Sequence, residues 1–124
     1  MKREILFRGK QINTGEWFFG NLFNKDNIGR THITTTNRGC LNIDPETVGQ
    51  FTGRYDKNDK EIFERDIVVN KNIHGKKWIV EYRTDSEYVG FVLKEIGTNG
   101  ISLFTSWSDI EVIGNIYDNK ELLK

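Results

Sequence analysis

The residues best suited to do chemistry are concentrated between positions 44 and 68, where aspartate, glutamate and glycine are frequent. From Asp56 onward, Asp and Asn alternate as at the start of a calcium-binding loop, whose oxygen ligands lie at alternate positions. The pattern then fails: Lys60 occupies a ligand position, Glu61 replaces the required glycine, and Ile67 stands where a bidentate glutamate is needed. The segment therefore predicts a solvated turn rather than a metal site.

The histidines and the cysteine do not suggest a metal centre or a nucleophile. His32, Cys40 and His74 are far apart in the chain and show no ligand spacing. Cys40 is the only cysteine, so no intrachain disulfide can form, and no histidine or basic cluster next to it would activate the thiol. We expect a buried, inert thiol and neither a metal nor a cofactor.

The sequence does not indicate an enzyme. The glycines at the ends of segment 49–53 are not followed by Lys-Ser/Thr or a long helix, so they do not form a phosphate-binding loop. No Gly-x-Ser-x-Gly nucleophile elbow is present. An enzymatic function would need a deep pocket in which Asp66, His74 and Asp109 converge. We therefore predict a protein without catalytic residues.

One local basic segment, residues 71–77, precedes a tryptophan and is predicted to be a hairpin tip. Such a tip can contact phosphates and stack a base on its aromatic residue, which predicts a nucleic-acid-binding module as an alternative function. The simpler interpretation is a solvated tip next to a core tryptophan. Equal numbers of basic and acidic residues, 18 each, also argue against a strongly electrostatic binder. The candidate contacts are Lys71, His74, Lys76, Lys77 and Trp78.

The most aromatic segment, residues 17–23, is apolar on both faces when it is read as a β-strand. A small domain can shield only one face of such a strand. The other face either completes an internal core or lies in a subunit interface, where Trp and Phe are enriched. Trp17, Phe19 and Phe23 are the candidate interface residues, and the corresponding prediction is a homo-oligomer.

The remaining pattern predicts a mostly β protein. In the N-terminal region, 1–60, strands are expected at 17–23, 28–35 and 40–43, with a hairpin turn at 24–27. Asp44 is expected to cap a helical turn that starts at Pro45. In the region 61–124, turn signals at 72–75, 84–86 and 97–100 separate four strand-like runs at 66–70, 77–83, 88–95 and 109–117. This spacing is typical of a small antiparallel barrel or sandwich.

The ends of the chain complete these expectations. Asp118 is placed to cap a short C-terminal helix whose Leu122 and Leu123 would pack on the barrel. The basic start of the chain is followed by no long apolar run, so it does not resemble a signal peptide. No segment approaches the roughly 20 apolar residues of a membrane span. We therefore expect a cytoplasmic protein without a membrane partner.

Several segments together resemble the YopX family, small proteins encoded by bacteriophages and prophages. They are 7–10, 14–17 with 19–22, DPETVGQFTG at 44–53, 56–58 with 60–64, 66–68 and 110–117. The resemblance implies a phage accessory protein, self-assembly through protein–protein contacts, and an SH3-like barrel in the C-terminal half. It implies no catalytic residues. Asp59 and Arg65 stand where the family commonly has glycine, so both are expected to adopt unusual φ angles.

Overall fold

The structure, a computed structural model, describes residues 6–23, 29–35, 38–85, 87–103 and 109–124. The protein is mostly β, as predicted. Its chain divides into two compact units, Met1–Phe51 and Thr52–Lys124, whereas the sequence suggested a division at residue 60. The predicted hairpin turn at 24–27 lies outside the described residues.

The first unit is an antiparallel sheet with the strand order β4-β3-β2-β1-β5. Its strands are β1 (Phe7–Lys10), β2 (Trp17–Phe23), β3 (Thr31–Thr35), β4 (Gly39–Ile43) and the first part of β5 (Gly49–Tyr55). The limits of β2 are those predicted from its aromatic run. Lys10 of β1 pairs with Trp17 of β2, and Phe23 of β2 pairs with His32 of β3. β2 is therefore flanked on both sides.

Two glycines allow this sheet to curl around its core. A Cβ at Gly20 would overlap the carbonyl oxygen of Thr34, and one at Gly9 would lie 2.5 Å from Ile43 Cγ2. An isolated β-bridge pairs Ile43, the last residue of β4, with Gln11, which follows β1. The enclosed apolar cluster consists of Phe18, Ile33, Leu41 and Ile43, with Phe7, Leu22 and Val48 packed against it.

A single 3-10 turn, Pro45–Thr47, confirms the predicted cap. Asp44 Oδ1 accepts a hydrogen bond from the Glu46 N–H at 3.0 Å, and Pro45 occupies the first turn. Thr47 is buried, and its Oγ1 accepts from the Lys10 N–H at 2.8 Å. The turn thereby ties the entry to β5 to the end of β1.

The second unit contains a five-stranded antiparallel sheet with the order β10-β9-β8-β7-β11. The strands of this unit are β6 (Glu61–Phe63), β7 (Asp66–Asn70), β8 (Ile73–Thr84), β9 (Val89–Glu95), β10 (Ile101–Ser102) and β11 (Ile110–Asn115). The second part of β5 also belongs to this unit, and Thr52 Oγ1 donates to the Ile62 carbonyl of β6. In the described residues β10 and β11 are the two edges, so the sheet does not close into a barrel.

The core of the second unit lies on one face of this sheet. It consists of Ile62, Val68, Trp78, Val80, Leu93, Ile110 and Val112, with Phe91 packed against it. Side chains alternate along β8, and Trp78 and Val80 on its inner side are buried. Tyr82, at the end of that series, is half exposed and meets Phe91 edge to face, with ring centroids 5.0 Å apart.

Two further predictions differ from the structure. The turn was expected at 72–75, but it is formed by Lys71 and Asn72, because β7 ends at Asn70 and β8 already begins at Ile73. The pairing of β7 with β8 shifts register at this point. Val68 pairs with Trp78, whereas Asn70 pairs with Ile73, so β8 has more residues than β7 between these two pairs. The expected C-terminal helix is a 3-10 turn, Lys120–Leu123, in which Leu123 is exposed.

Candidate functional site

The predicted interface residues lie on one side of β2. Phe18, which points the other way, is buried in the first unit, whereas Phe19 and Phe23 are 45% and 55% exposed. Because side chains alternate along a strand, Trp17 shares the outer side with these two phenylalanines. We call Trp17, Phe19 and Phe23 the β2 aromatic face. The structure thus separates an inner, core-forming side of β2 from an outer, aromatic side.

Basic side chains from β1 border this face. Arg8 pairs with Phe19 in register, and Lys10 pairs with Trp17. The guanidinium carbon of Arg8 lies 4.7 Å from the centre of the Trp17 ring, and Lys10 Nζ lies 5.4 Å from it. Both distances are within the range of cation–π attraction. Trp17 is therefore held in place by its neighbours on β1, which gives the face a rigid aromatic anchor.

Polar residues of β3 and β4 continue the same side of the sheet. His32 lies opposite Phe23, and Asn42 lies opposite His32. Cys40 is also on this side and is exposed, so the prediction of a buried thiol is wrong. The physical reason is the alternation along β4, in which Leu41 enters the core and its neighbour faces outward.

The lysines of the basic segment 71–77 already have partners. Lys71 Nζ lies 3.3 Å from Asp109 Oδ1, and Lys76 Nζ lies 3.8 Å from Glu95 Oε1. Lys77 Nζ donates to the backbone oxygen of Lys124 at 3.3 Å. Two of the three positive charges are thus close to a carboxylate, which weakens the field that the segment presents to a phosphate.

The two remaining candidates in this segment are placed very differently. His74 is exposed on the first part of β8. Trp78 is only 7% exposed and belongs to the core of the second unit. A ring in that position offers no face on which a nucleotide base could stack. The segment therefore presents charged and polar groups without the aromatic platform expected from its sequence.

The three residues required for an enzymatic pocket do not converge. Asp66 begins β7, is 1% exposed, and accepts a hydrogen bond from the Phe63 N–H at 2.7 Å. His74 and Asp109 lie beyond the other end of β7, near Lys71. Four residues of extended chain separate the two ends, a distance of roughly 13 Å. Asp66 instead caps the tight turn between β6 and β7.

Comparison with known proteins places the chain in a family. The family described as YopX protein matches residues 6–124, nearly the whole chain. The chain belongs to the YopX protein family. The crystal structure of protein EF1440 from Enterococcus faecalis matches with a TM-score of 0.58 and 23% identity, covering 99% of this chain and 100% of that one. This likeness shows a shared fold. No curated protein matches the chain.

The two departures from the YopX glycine pattern have the unusual geometry that was expected. Asp59 has φ = 62° and Arg65 has φ = 74°, both in the left-handed region. These are the only non-glycine residues with positive φ among those described. The first lies in the turn between β5 and β6, and the second lies in the turn between β6 and β7. The backbone at both positions therefore has the conformation that glycine favours.

The acidic turn of this YopX protein has a role that sequence reasoning missed. Asp56 is 4% exposed, and its Oδ1 accepts from the N–H groups of Asn58 and Lys60 at 2.8 and 2.9 Å. Its Oδ2 accepts from the Val112 N–H of β11 at 2.9 Å. Burial alone would raise the pKa of Asp56, but these hydrogen bonds and the charge of Lys60 outweigh it and lower the pKa.

Neither a metal site nor a membrane helix emerges from the described part of this YopX chain. Among those residues, no group of three or more His, Cys, Asp or Glu is arranged to hold a metal ion. No helix in that part is long and apolar enough to cross a membrane.

Proposed function

We propose that this YopX protein is a non-enzymatic phage or prophage accessory protein that acts through protein–protein contacts and assembles with itself. The observation that carries the proposal is the exposure of Phe19 and Phe23, 45% and 55%, on the outer side of a strand whose inner side forms the core. The phage context and a location in the bacterial cytoplasm are part of the proposal. The resemblance to the YopX family supports the phage context.

The chemistry of the β2 aromatic face supports self-assembly. Interface centres are enriched in Trp and Phe, and the buried Arg8 guanidinium stacks on Trp17 beside Phe19 and holds that ring in place. In a two-fold symmetric dimer each residue of the patch is used twice, so four phenylalanine rings would leave water. Full burial of one such ring stabilises by about 1.5–3 kcal/mol relative to its exposed state. Because these rings are already half covered, the gain per ring lies at or below the lower end of that range.

The experiment compares the molar mass of the native protein with that of a Phe19→Ser/Phe23→Ser variant by light scattering over a concentration series. The native protein should show a larger, concentration-dependent mass, and the variant should be a monomer. Val89→Ser is the control, because Val89 is 84% exposed on β9 and the change removes an apolar side chain from a surface outside the β2 aromatic face. A native protein that remains a monomer at high concentration would exclude the proposal.

The alternative function, nucleic-acid binding, is favoured by one observation. Lys71, His74 and Lys76 are exposed next to one another on the turn and the start of β8. Gel retardation of single- and double-stranded DNA at low salt tests it, and binding should weaken steeply as salt is raised. A Lys71→Gln/Lys76→Gln variant should lose the retardation. If the native protein shows no retardation at low salt, nucleic-acid binding is excluded.

We also propose that the second unit is an open relative of the SH3-like barrels. β7, β8, β9 and β10 follow one another in the sheet, and the last strand, β11, returns to pair with β7. A meander whose final strand joins its first strand supports this assignment. It carries no functional consequence by itself, because such folds host unrelated activities.

A further inference from the structure

The turn between β9 and β10 contains the only asparagine of the chain that is followed by a glycine, Asn99. Asparagine is one of the chemically labile residues, because the backbone nitrogen of the next residue can attack its side-chain carbonyl carbon. A glycine at that next position leaves the nitrogen open to the attack, since glycine has no Cβ. This turn therefore contains a reactive pair, Asn99 and Gly100.

The structure leaves the Asn99 side chain exposed and unrestrained. Its carboxamide makes no hydrogen bond with the described part of the chain. Three other asparagines of the same unit each accept a backbone N–H with their side-chain oxygen: Asn70, Asn115 and Asn119. The Asn99 carboxamide can thus approach the Gly100 nitrogen freely, whereas each of these three must first give up a hydrogen bond.

Gly100 is also accessible, and the fold can accept an alanine in its place. Its N–H donates at 3.0 Å to Oγ1 of the exposed Thr98, a contact that water can replace. A Cβ at position 100 would lie 3.0 Å from Glu95 Oε1 and 3.2 Å from Thr98 Oγ1. Both oxygens are at the ends of side chains that can move. Gly100→Ala is therefore a variant that crowds the nitrogen while it keeps the turn.

We propose that Asn99 is a site of spontaneous deamidation that releases the β10 edge of the sheet. Hydroxide removes the Gly100 amide proton, the nitrogen forms a bond to Asn99 Cγ, the Cγ–Nδ2 bond breaks, and the nitrogen that leaves takes up a proton as ammonia. Water then adds to one of the two carbonyl carbons of the succinimide ring and opens it. The product is either an aspartate or an isoaspartate, in which the backbone contains one additional carbon.

The isoaspartate changes the pairing of the strand that follows. The Gly100 carbonyl accepts from the Glu95 N–H of β9 at 2.8 Å, and β10, Ile101–Ser102, has two residues. An additional backbone carbon directly before Gly100 moves its carbonyl out of this register. Since so short a strand is held by few hydrogen bonds, we expect β10 to separate from β9. β9 then becomes an exposed edge of the kind that invites pairing with another chain.

The modification does not depend on self-assembly through the β2 aromatic face. A Phe19→Ser/Phe23→Ser variant should deamidate at the native rate. Loss of the oligomer and absence of deamidation are therefore separate results.

The test follows the folded, full chain during incubation at physiological temperature. Peptide mass spectrometry should show the conversion of a carboxamide to a carboxyl group at Asn99, and methylation by an isoaspartyl methyltransferase should identify the isoaspartate. The rate should rise with pH above neutrality, because the Gly100 nitrogen attacks after it has lost its proton. Asn70, Asn115 and Asn119 should remain unchanged over the same period.

Three variants separate the steps. Gly100→Ala should slow the reaction by at least about tenfold, because a methyl group hinders the approach of the nitrogen to Asn99 Cγ. Asn99→Gln should be similarly slow, because the longer side chain must close a larger ring. Asn99→Asp has the charge of the products without the additional backbone carbon. The thermal unfolding midpoint of each variant shows that it is folded.

Hydrogen exchange, followed by nuclear magnetic resonance, measures the release of β10. The Glu95 N–H should exchange with solvent at least about tenfold faster in the isoaspartyl protein than in the fresh protein, because it has lost its acceptor. In Asn99→Asp the same N–H should exchange as in the fresh protein.

The deamidation site is refuted if the folded protein shows no conversion at Asn99 in the time in which the urea-unfolded chain is modified. It is also refuted if Gly100→Ala reacts at the native rate. If isoaspartate forms but the Glu95 N–H keeps its exchange rate, the release of β10 is wrong.

Discussion

Replacement of Asp56 by asparagine should destabilise the protein by about 2–3 kcal/mol. The asparagine can keep an oxygen for the N–H groups of Asn58 and Lys60, but it turns an NH₂ group towards the Val112 N–H, which loses its acceptor. Hydrogen bonds to a charged group contribute about 1.5–3 kcal/mol, and an unsatisfied buried N–H costs about 1–3 kcal/mol. The two effects overlap in one contact, so we take the upper part of their common range and not their sum.

The same substitution should remove a pH-dependent part of the stability. The pKa of Asp56 is lowered in the folded protein from its ordinary value of 3.8. A lowered folded pKa means that the contribution is fully present above the unfolded pKa and is lost as the pH falls through the folded pKa. The stability difference between native protein and Asp56→Asn should be full at pH 7, should begin to narrow near pH 3.8, where the carboxyl of the unfolded chain becomes protonated, and should be lost at the lower pH at which the folded carboxyl is protonated.

Urea denaturation, followed by tryptophan fluorescence and far-ultraviolet circular dichroism, measures both effects. Asp59→Asn is the matched control, because it removes the same charge from an exposed position in the same turn and asparagine tolerates the positive φ. The control should change the free energy of unfolding by less than about 0.5 kcal/mol. If Asp56→Asn is equally mild, or if its effect is the same at pH 3 and pH 7, Asp56 does not act as we infer.

Three further substitutions test the packing and the turns by the same urea assay. Gly20→Ala should cost about 2–3 kcal/mol, because the new methyl group would overlap the Thr34 carbonyl; a stability equal to the native protein would contradict the curled sheet. Phe63→Ala should cost about 3–5 kcal/mol, because Phe63 is 2% exposed, and a near-neutral effect would show that the ring is not part of a core. Arg65→Gly should stabilise by up to about 1 kcal/mol, because φ = 74° is unfavourable for arginine, and a loss of stability would contradict that backbone geometry.

Features with a local cause could be predicted from the sequence. The limits of β2 follow from its aromatic run, and the Asp44 cap follows from its position before Pro45. The positive φ angles at Asp59 and Arg65 followed from the resemblance, because the family commonly has glycine at those positions. Each of these features depends on a few neighbouring residues, which is why a short pattern was sufficient.

The features that were missed depend on distant pairing. β6 and β10 have three and two residues, too few for an alternating pattern, and β10 is held by its pairing with β9. The early start of β8 depends on a register shift against β7. The ion pair of Lys76 joins it to Glu95 of another strand, so the weak field of the basic segment was not visible in the sequence.

The candidate sites also divide into those that a local pattern predicts and those that depend on residues distant in the chain. The alternation along β2 was sufficient to select Trp17, Phe19 and Phe23, and the structure places them on one side of the strand. The same alternation could have placed Cys40 outside, since Leu41 and Ile43 next to it are core residues. A small cavity of the second unit could not be predicted, because its lining residues come from five strands and include Asn70, Trp78, Leu93, Ser102 and Ile110.

The contacts at two strand edges favour self-assembly through the face of a sheet over self-assembly by edge-to-edge strand pairing. Exposed strand edges invite pairing with another chain, and proteins usually cover them. On β11, the Val112 N–H is taken by Asp56 and the Ile110 carbonyl accepts from the Lys57 N–H at 2.8 Å. On β4, the Asn42 carbonyl accepts from the Ile12 N–H at 3.1 Å. Because these groups of β11 and β4 are already used within the chain, pairing of a second copy along those two edges would break existing hydrogen bonds, whereas docking on the face of the sheet where Phe19 and Phe23 are exposed would not.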